Sequence, residues 1–205
     1  MAKLLQVGLT GGIACGKSSA ARAFARRGAY RICADEAARA ALARGTTGWK
    51  RAVREFGKSV LTADGEIDRR KLGAIVFGDT RKRARLEAIV HPITRRAWQR
   101  ELARCRRERK FSVAIVDVPL LYEVKIEGCF DAVIVVGASR STQLARLRAR
   151  GLSRREAETR IAAQWPLQQK LDQADYVIWN DGSQALLRRQ VNQIWKTISP
   201  TQHRE

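Results

Sequence analysis

Short blocks of nearly continuous apolar residues alternate along the chain with longer stretches in which apolar residues recur every three or four positions. These are the marks of buried strands and of helices. LLQVGL at 4–9 reads as a first strand, ending in glycines, and an Ala-rich helical stretch follows at 17–27. A second short strand is expected at 30–34. SVAIVDV at 112–118 and residues 132–136 are the clearest buried strands, Val/Ile/Ala runs of the kind covered on both faces of a parallel sheet. YVIW at 176–179 is a last short strand, and Asp181–Gly182 turns the chain into a terminal helix over 184–198. Another helix is expected at 141–150, and a further one starts at the capping-box spacing of Ser153 and Glu156.

From 35 to 110 the period is helical throughout. Asp68 is the expected N-cap of a helix reaching Phe77, and Thr80 that of one running towards His91. Pro92 should end or kink that helix, because it cannot donate a backbone hydrogen bond. Strands alternating with helices predict an α/β fold, a doubly wound parallel sheet. The block at 35–110 is too long for a simple crossover and reads as an inserted helical subdomain. The core then takes 1–34, 111–139 and 174–205, leaving a helical lid at 140–173.

Of 205 residues, 45% are hydrophobic and 29% charged, a composition that excludes disorder. No stretch approaches about 18 apolar residues, so no membrane partner is expected. The opening MAKLLQVGLTGG lacks the apolar length and cleavage site of a secretory signal, so a cytoplasmic location is expected. Forty basic against twenty acidic side chains leave +20, with arginine outnumbering lysine 30 to 10. Such a surface attracts polyanions, or it is an arginine-rich composition spread over solvated faces. Four scattered cysteines and two histidines argue against both a zinc cluster and a disulfide framework.

GGIACGKS at 11–18 matches G-x-x-x-x-G-K-[ST] in full, after a strand and at the start of a helix. This places the fold among P-loop NTPases. The loop amides of Gly11, Gly12, Ile13, Ala14, Cys15 and Gly16 converge on phosphate, with Lys17, Ser18 and Ser19 opening the helix. ATP is the expected co-substrate. Lys17 reaches its β- and γ-phosphates, and the Ser18 hydroxyl is placed for Mg²⁺. A left-handed alanine costs about 1–2 kcal/mol, so Ala14 is expected in an ordinary conformation. Cys15, beside phosphate-binding amides, is either a small filler or a thiol of lowered pKa. Asp117 closes a strand where P-loop enzymes hold Mg²⁺, directly or through water. A guanine-specific N/T-K-x-D element is missing, the nearest string being QKLD at 169–172, which disfavours a GTPase. A kinase needs a carboxylate at its acceptor hydroxyl and cations over the transferring phosphoryl. Asp35, just after the second strand, is expected at the same sheet edge as the phosphate loop. Seven arginines against two glutamates at 140–160 look like a basic lid.

VGLTGGIACGKS (7–18), ADEAAR (34–39), LEAIVHP (86–92), DVPLLYE (117–123) and RLRARGLSRREAETRIAAQWPLQQKLDQADYVIWNDGS (146–183) resemble dephospho-coenzyme A kinases, along almost the whole chain. The resemblance implies ATP-dependent phosphorylation of the ribose 3′-hydroxyl of dephospho-CoA, giving CoA and ADP. It implies Asp35 as base, with Lys17, Arg146 and Arg150 stabilising the transition state. His91, Asp117, Leu120 and Glu123 would line the acceptor side. Two positions depart from the family pattern: Cys33 and Trp179 stand where acidic residues are usual. The rival readings are a nucleic-acid-binding P-loop ATPase, for which 81–110 offers twelve basic residues, a kinase for another small hydroxyl acceptor, and a catalytically weakened nucleotide-binding module. No specific nucleic-acid partner is expected, only salt-sensitive adsorption on charge.

Overall fold

The apolar blocks become the strands of one five-stranded parallel sheet, in a computed structural model that describes residues 3–77 and 79–199. The strands are β1 (Leu5–Gly11), β2 (Tyr30–Cys33), β3 (Val113–Asp117), β4 (Ala132–Gly137) and β5 (Tyr176–Trp179), in the order β2-β3-β1-β4-β5. β1 is central. It pairs in parallel with β3, Leu5 opposite Val113 through Leu9 opposite Asp117, and with β4, Val7 opposite Ala132 through Gly11 opposite Val136. The chain leaves β1 towards one edge of the sheet and later crosses to the other, so the loop after β1 sits at the topological switch point, where α/β sheets bind ligands.

Two compact units divide the chain, one built on residues up to 32 and from 102 onward, the other on 33–101. In the first, helices α1 (Lys17–Arg26) and α9 (Gln184–Ile198) pack on each other. α9 buries Leu187, Val191, Ile194 and Ile198, a 4-3-4 spacing that forms one stripe. That stripe joins Val7, Leu9, Ile115, Ile134, Val136 and Ile178 of the strands in one core, with Phe24 from α1. Ala20, Ala21 and Ala23 let α1 come close to it. Each fully buried branched side chain contributes about 1.5–3 kcal/mol. The edge strand β5 is covered by Gln190 of α9, whose amide accepts from Trp179 N (2.9 Å) and donates to Trp179 O (2.9 Å), which closes part of the edge to pairing with another chain. Helices α6 (Arg140–Arg148), α7 (Arg154–Ala162) and α8 (Leu167–Asp172) complete this unit. Ser153 and Glu156 form the expected capping box of α7.

The second unit holds α2 (Ala34–Ala41), α3 (Thr47–Phe56), α4 (Arg69–Phe77) and the part of α5 (Thr80–Glu108) up to Glu101. Asp68 caps α4 as expected, accepting from Arg70 N (2.9 Å) and Lys71 N (3.1 Å). The cap of α5 is Asp79 rather than Thr80: its carboxylate accepts from Arg81 N (2.9 Å) and Lys82 N (3.0 Å), and a charged oxygen suits the positive helix end better than a hydroxyl. Pro92 does not end α5. The proline removes one backbone bond at a cost of about 3 kcal/mol, which the remaining ladder absorbs. Beyond it the helix is anchored by Trp98, Leu102 and Cys105, all buried at 4-3 spacing. The block is also not helical throughout, since Leu61 and Ile67 form an antiparallel bridge around Asp64–Gly65.

Ala14 contradicts its expectation: its φ is 61°. Cys15 N–H donates to Gly12 O (3.2 Å), closing a turn with Ala14 in third place, where positive φ normally selects glycine. An Ala14→Gly variant relieves about 1–2 kcal/mol of strain, while losing about 0.8 kcal/mol of methyl burial and a similar amount to the freer unfolded chain. Denaturant titration should therefore find it within about 1 kcal/mol of the parent. A loss of about 2 kcal/mol, the sum of the two costs with no strain to relieve, would mean that Ala14 is not left-handed.

Candidate active site

Lys17 opens α1 directly after Gly16, whose φ of 93° makes the turn into the helix. A Cβ at Gly16 would collide with the Asn180 amide. No side chain caps α1, so its first-turn amides are left for a ligand, and a helix N-terminus with free amides is an anion site.

The loop peptides are gripped from outside. Gln164 accepts from Ile13 N (2.8 Å), and Gln143 donates to Ile13 O (3.0 Å) and to Cys15 Sγ (3.0 Å). Arg146 donates to Ala14 O (3.1 Å) and Asn180 O (2.8 Å), while Asn180 Nδ2 donates to Cys15 O (2.7 Å). Three separate segments thus converge on residues 13–15. Cys15 is fully buried, and burial pushes its thiol above the ordinary value, outweighing the hydrogen bond from Gln143. It is the small filler rather than a reactive thiolate.

Lys17 forms an ion pair with Asp117 at the end of β3, where the carboxylate is 2% exposed. Ser18 is exposed and Ser19 half-buried in the first turn of α1. Thr10 Oγ1 donates to Pro119 O (3.2 Å), tying the end of β1 to the segment after β3. In that segment Leu120 is half-buried, and its carbonyl accepts from Val124 N (3.0 Å). Glu123 Oε1 takes the Lys170 ammonium (2.5 Å) and Trp165 N–H (3.1 Å). Lys170 has no exposed surface, and Glu123 Oε2 is buried without a partner among the described residues. Tyr122 lies parallel to Trp165, ring centroids 6.3 Å apart, and donates to Gln173 O (3.0 Å). Burial, reinforced by Asp175 and Glu127, pushes Tyr122 up to about 12, so it stays a neutral donor. Residues 117–123 and 164–173 are one tied assembly.

Beside the loop lies a cavity of about 500 Å³, lined among others by Gly12, Arg140, Gln143, Gln164, Leu171 and Trp179. Of the predicted lid arginines, Arg146 is committed to the loop carbonyls, Arg154 pairs with Glu158 (3.1 Å), and Arg150 is exposed in the turn after α6. Trp179 keeps its ring by donating from Nε1 to Asp181 (3.1 Å), which also accepts from Ser139 N (2.8 Å).

In the second unit, Asp35 and His91 line one cavity of about 400 Å³ with Arg39, Arg69 and Glu87 over a wall of Leu42, Leu86 and Val90. Both residues are exposed. Such a lining suits an anionic group carried beside a less polar body. The sequence reading misses the roles of Gln143, Gln164, Lys170 and Asn180, because single amides and a lone lysine carry no spacing signal.

The family described as "CoaE: Dephospho-CoA kinase" matches residues 5–185. A dephospho-CoA kinase of Geobacter sulfurreducens is 45% identical over 195 residues, 95% of this chain and 98% of that one. Two solved structures align over nearly the full length. TT1252 from Thermus thermophilus has a TM-score of 0.81 at 32% identity, covering 96% of this chain and 98% of its own. Dephospho-CoA kinase from Campylobacter jejuni has a TM-score of 0.70 at 28% identity, covering 95% and 96%. A phosphate loop with its lysine–aspartate pair, at the switch point of a parallel sheet, is matched by likeness over nearly all of the sequence. The chain belongs to the dephospho-CoA kinase family.

Proposed function

We propose that the chain transfers the γ-phosphoryl of ATP to the ribose 3′-hydroxyl of dephospho-CoA, forming CoA and ADP in the last step of coenzyme A synthesis. The observation that carries this is the clamped phosphate loop with Lys17 paired to Asp117, in a chain of this family. The acceptor oxygen attacks the γ-phosphorus while the bond to the β-bridging oxygen breaks, ADP leaves, and the hydroxyl proton passes to a base. Asp35 is that base. His91, which shares its cavity, binds the acceptor, and Arg39 and Arg69 supply positive charge there. The amides of Gly11 to Gly16, with Lys17, Ser18 and Ser19, hold the triphosphate. Lys17 and Arg150 stabilise the charge that develops on the transferring group.

Ser18 hydroxyl and Asp117 carboxylate are hard oxygen donors of the kind Mg²⁺ takes alongside phosphates and water. Among the described residues no group of three or more His, Cys, Asp or Glu stands ready to hold a metal, so these two oxygens would share Mg²⁺ with the nucleotide. When bound, the ion supplies charge neutralisation on the phosphates. Leu120 contributes to the acceptor side. Glu123, held by Lys170, positions the 117–123 segment rather than touching substrate. Among the described residues no helix is long and apolar enough to cross a membrane, and all four cysteines are free thiols, in keeping with work in the reducing cytoplasm.

A coupled ADP-release assay tests the assignment. Release should require dephospho-CoA, surpass that with other hydroxyl acceptors, and stop in excess chelator; equal rates across acceptors would remove it. Asp35→Asn should lower turnover at least about 100-fold with ATP affinity kept, and near-normal turnover would take the base role from Asp35. Arg150→Ala should cut kcat about tenfold or more with little change in the KM for ATP. Arg146→Gln should raise that KM as well, because the loop loses its clamp. If Arg146→Gln moved kcat alone, the residue would be a transition-state cation instead.

A further inference from the structure

The kinase reading accounts for the cations near the phosphate loop, but not for a second concentration of them at the far end of α1. A groove of about 450 Å³ runs between α1 and α9, lined by Arg26, Arg27, Arg188 and Arg189 with Asn192, over a floor of Ala23 and Ala185. The ten residues of α1 span about 15 Å, which separates this groove from the Lys17 end of the helix.

Nothing on these helices offsets the four charges. Residues 17–27 and 184–198 contain no Asp or Glu, and none of the four arginines is in an ion pair among the described residues. Arg27 Nε donates instead to Asn192 Oδ1 (2.6 Å), which fixes one guanidinium along the groove. For Arg26 a local reason exists, since a cation at a helix C-terminus meets the negative end of the dipole. The same reasoning runs against Arg188 and Arg189, which sit in the second turn of α9, closer to its positive end. Four like charges in one groove, two of them near the wrong end of a helix, are an arrangement that a bound polyanion relieves.

The lining also selects the kind of polyanion. Its only apolar groups are two alanines, with no ring on which a base could stack. The exposed apolar residues Val177, Trp179 and Leu186 lie elsewhere: Leu186 is one turn from Gln190, the residue that reaches β5, while the groove is on the α1 side of α9. No apolar wedge for a bilayer accompanies the arginines.

We propose that the α1–α9 groove docks the sugar–phosphate backbone of single-stranded nucleic acid, without regard to base sequence. Guanidinium forks bridge successive phosphates, and affinity falls with salt as counterions are released. The site is separate from the kinase centre.

The test is fluorescence anisotropy with labelled single-stranded RNA oligonucleotides of differing sequence, over a series of salt concentrations. The full chain is compared with the quadruple variant R26Q/R27Q/R188Q/R189Q and with a charge-matched variant at exposed sites elsewhere, R51Q/R54Q/R107Q/K110Q. The parent should bind all sequences alike. The groove variant should bind at least about tenfold more weakly than the charge-matched one. Its plot of log affinity against log salt should be shallower by about 3, at roughly 0.7 for each phosphate no longer neutralised. Should the quadruple variant melt early in a thermal scan, R188Q/R189Q alone is the test, with about half that change in slope. Equal weakening in both variants would mean diffuse attraction by the net charge and would overturn the proposal. So would binding confined to one sequence, or a groove variant that no longer binds anionic phosphatidylserine vesicles while keeping RNA.

Discussion

Residues 13–15 must present their amides to a phosphate, and the chain does this without a glycine at 14. Everything near the site follows from holding that backbone. A left-handed alanine is unfavourable by about 1–2 kcal/mol, and the turn by itself has one hydrogen bond to set against it, Cys15 N to Gly12 O. The deficit is met from outside by Gln143, Arg146, Gln164 and Asn180. Buried hydrogen bonds contribute about 0.5–1.5 kcal/mol each, and more when one partner is charged, so four of them exceed the strain. The loop therefore takes its shape from the tertiary structure. Its rigidity is coupled to the α6–α8 region and to the end of β5, from which the clamping side chains come.

That coupling gives the basic residues of α6 and its following turn different tasks. Arg146 spends both terminal nitrogens on carbonyls, so its charge lies beneath the phosphate site as part of the frame. Arg150, exposed one turn further on, is free to move with a ligand. Residues that look equivalent as a run of arginines are separated by the helix: positions 146 and 150 share a face, but only the earlier one is within reach of the loop and of Asn180.

What is legible in the sequence is whatever rests on local, repeated signals. The terminal helix begins and ends at 184 and 198 because a turn, a Ser183 cap and a 4-3-4 apolar stripe all agree. The phosphate loop is legible for the same reason, fixed residues between a strand and a helix. Ala14 escapes local reasoning because its conformation depends on partners far along the chain, Arg146 being 132 positions away. Pro92 escapes it because the proline rule weighs one missing bond, whereas α5 is anchored by Trp98, Leu102 and Cys105 beyond it. The bridge between Leu61 and Ile67 does have a signal, the Asp64–Gly65 turn dipeptide, hidden within a helical stretch. The Glu123–Lys170 pair has none. An ion pair spanning 47 positions leaves no spacing to detect.

The two buried ion pairs at either end of residues 117–123 are built alike and answer to a ligand differently. Lys170 has no exposed surface, and its pair with Glu123 is sealed by Trp165 and Tyr122; breaking such a pair leaves an uncompensated buried charge at about 3–5 kcal/mol. Lys17 sits instead at a helix N-terminus whose amides already favour anions. A triphosphate arriving there offers Lys17 a second partner of higher charge, and the lysine can turn from carboxylate to phosphate without being stranded. Asp117 cannot. At 2% exposure its carboxylate would be left buried and unpaired, with the nucleotide's negative charge added nearby. The exchange is favourable only when a cation enters with the nucleotide, so the lysine–aspartate pair is the physical reason for this loop to take a metal–nucleotide complex in preference to the bare triphosphate.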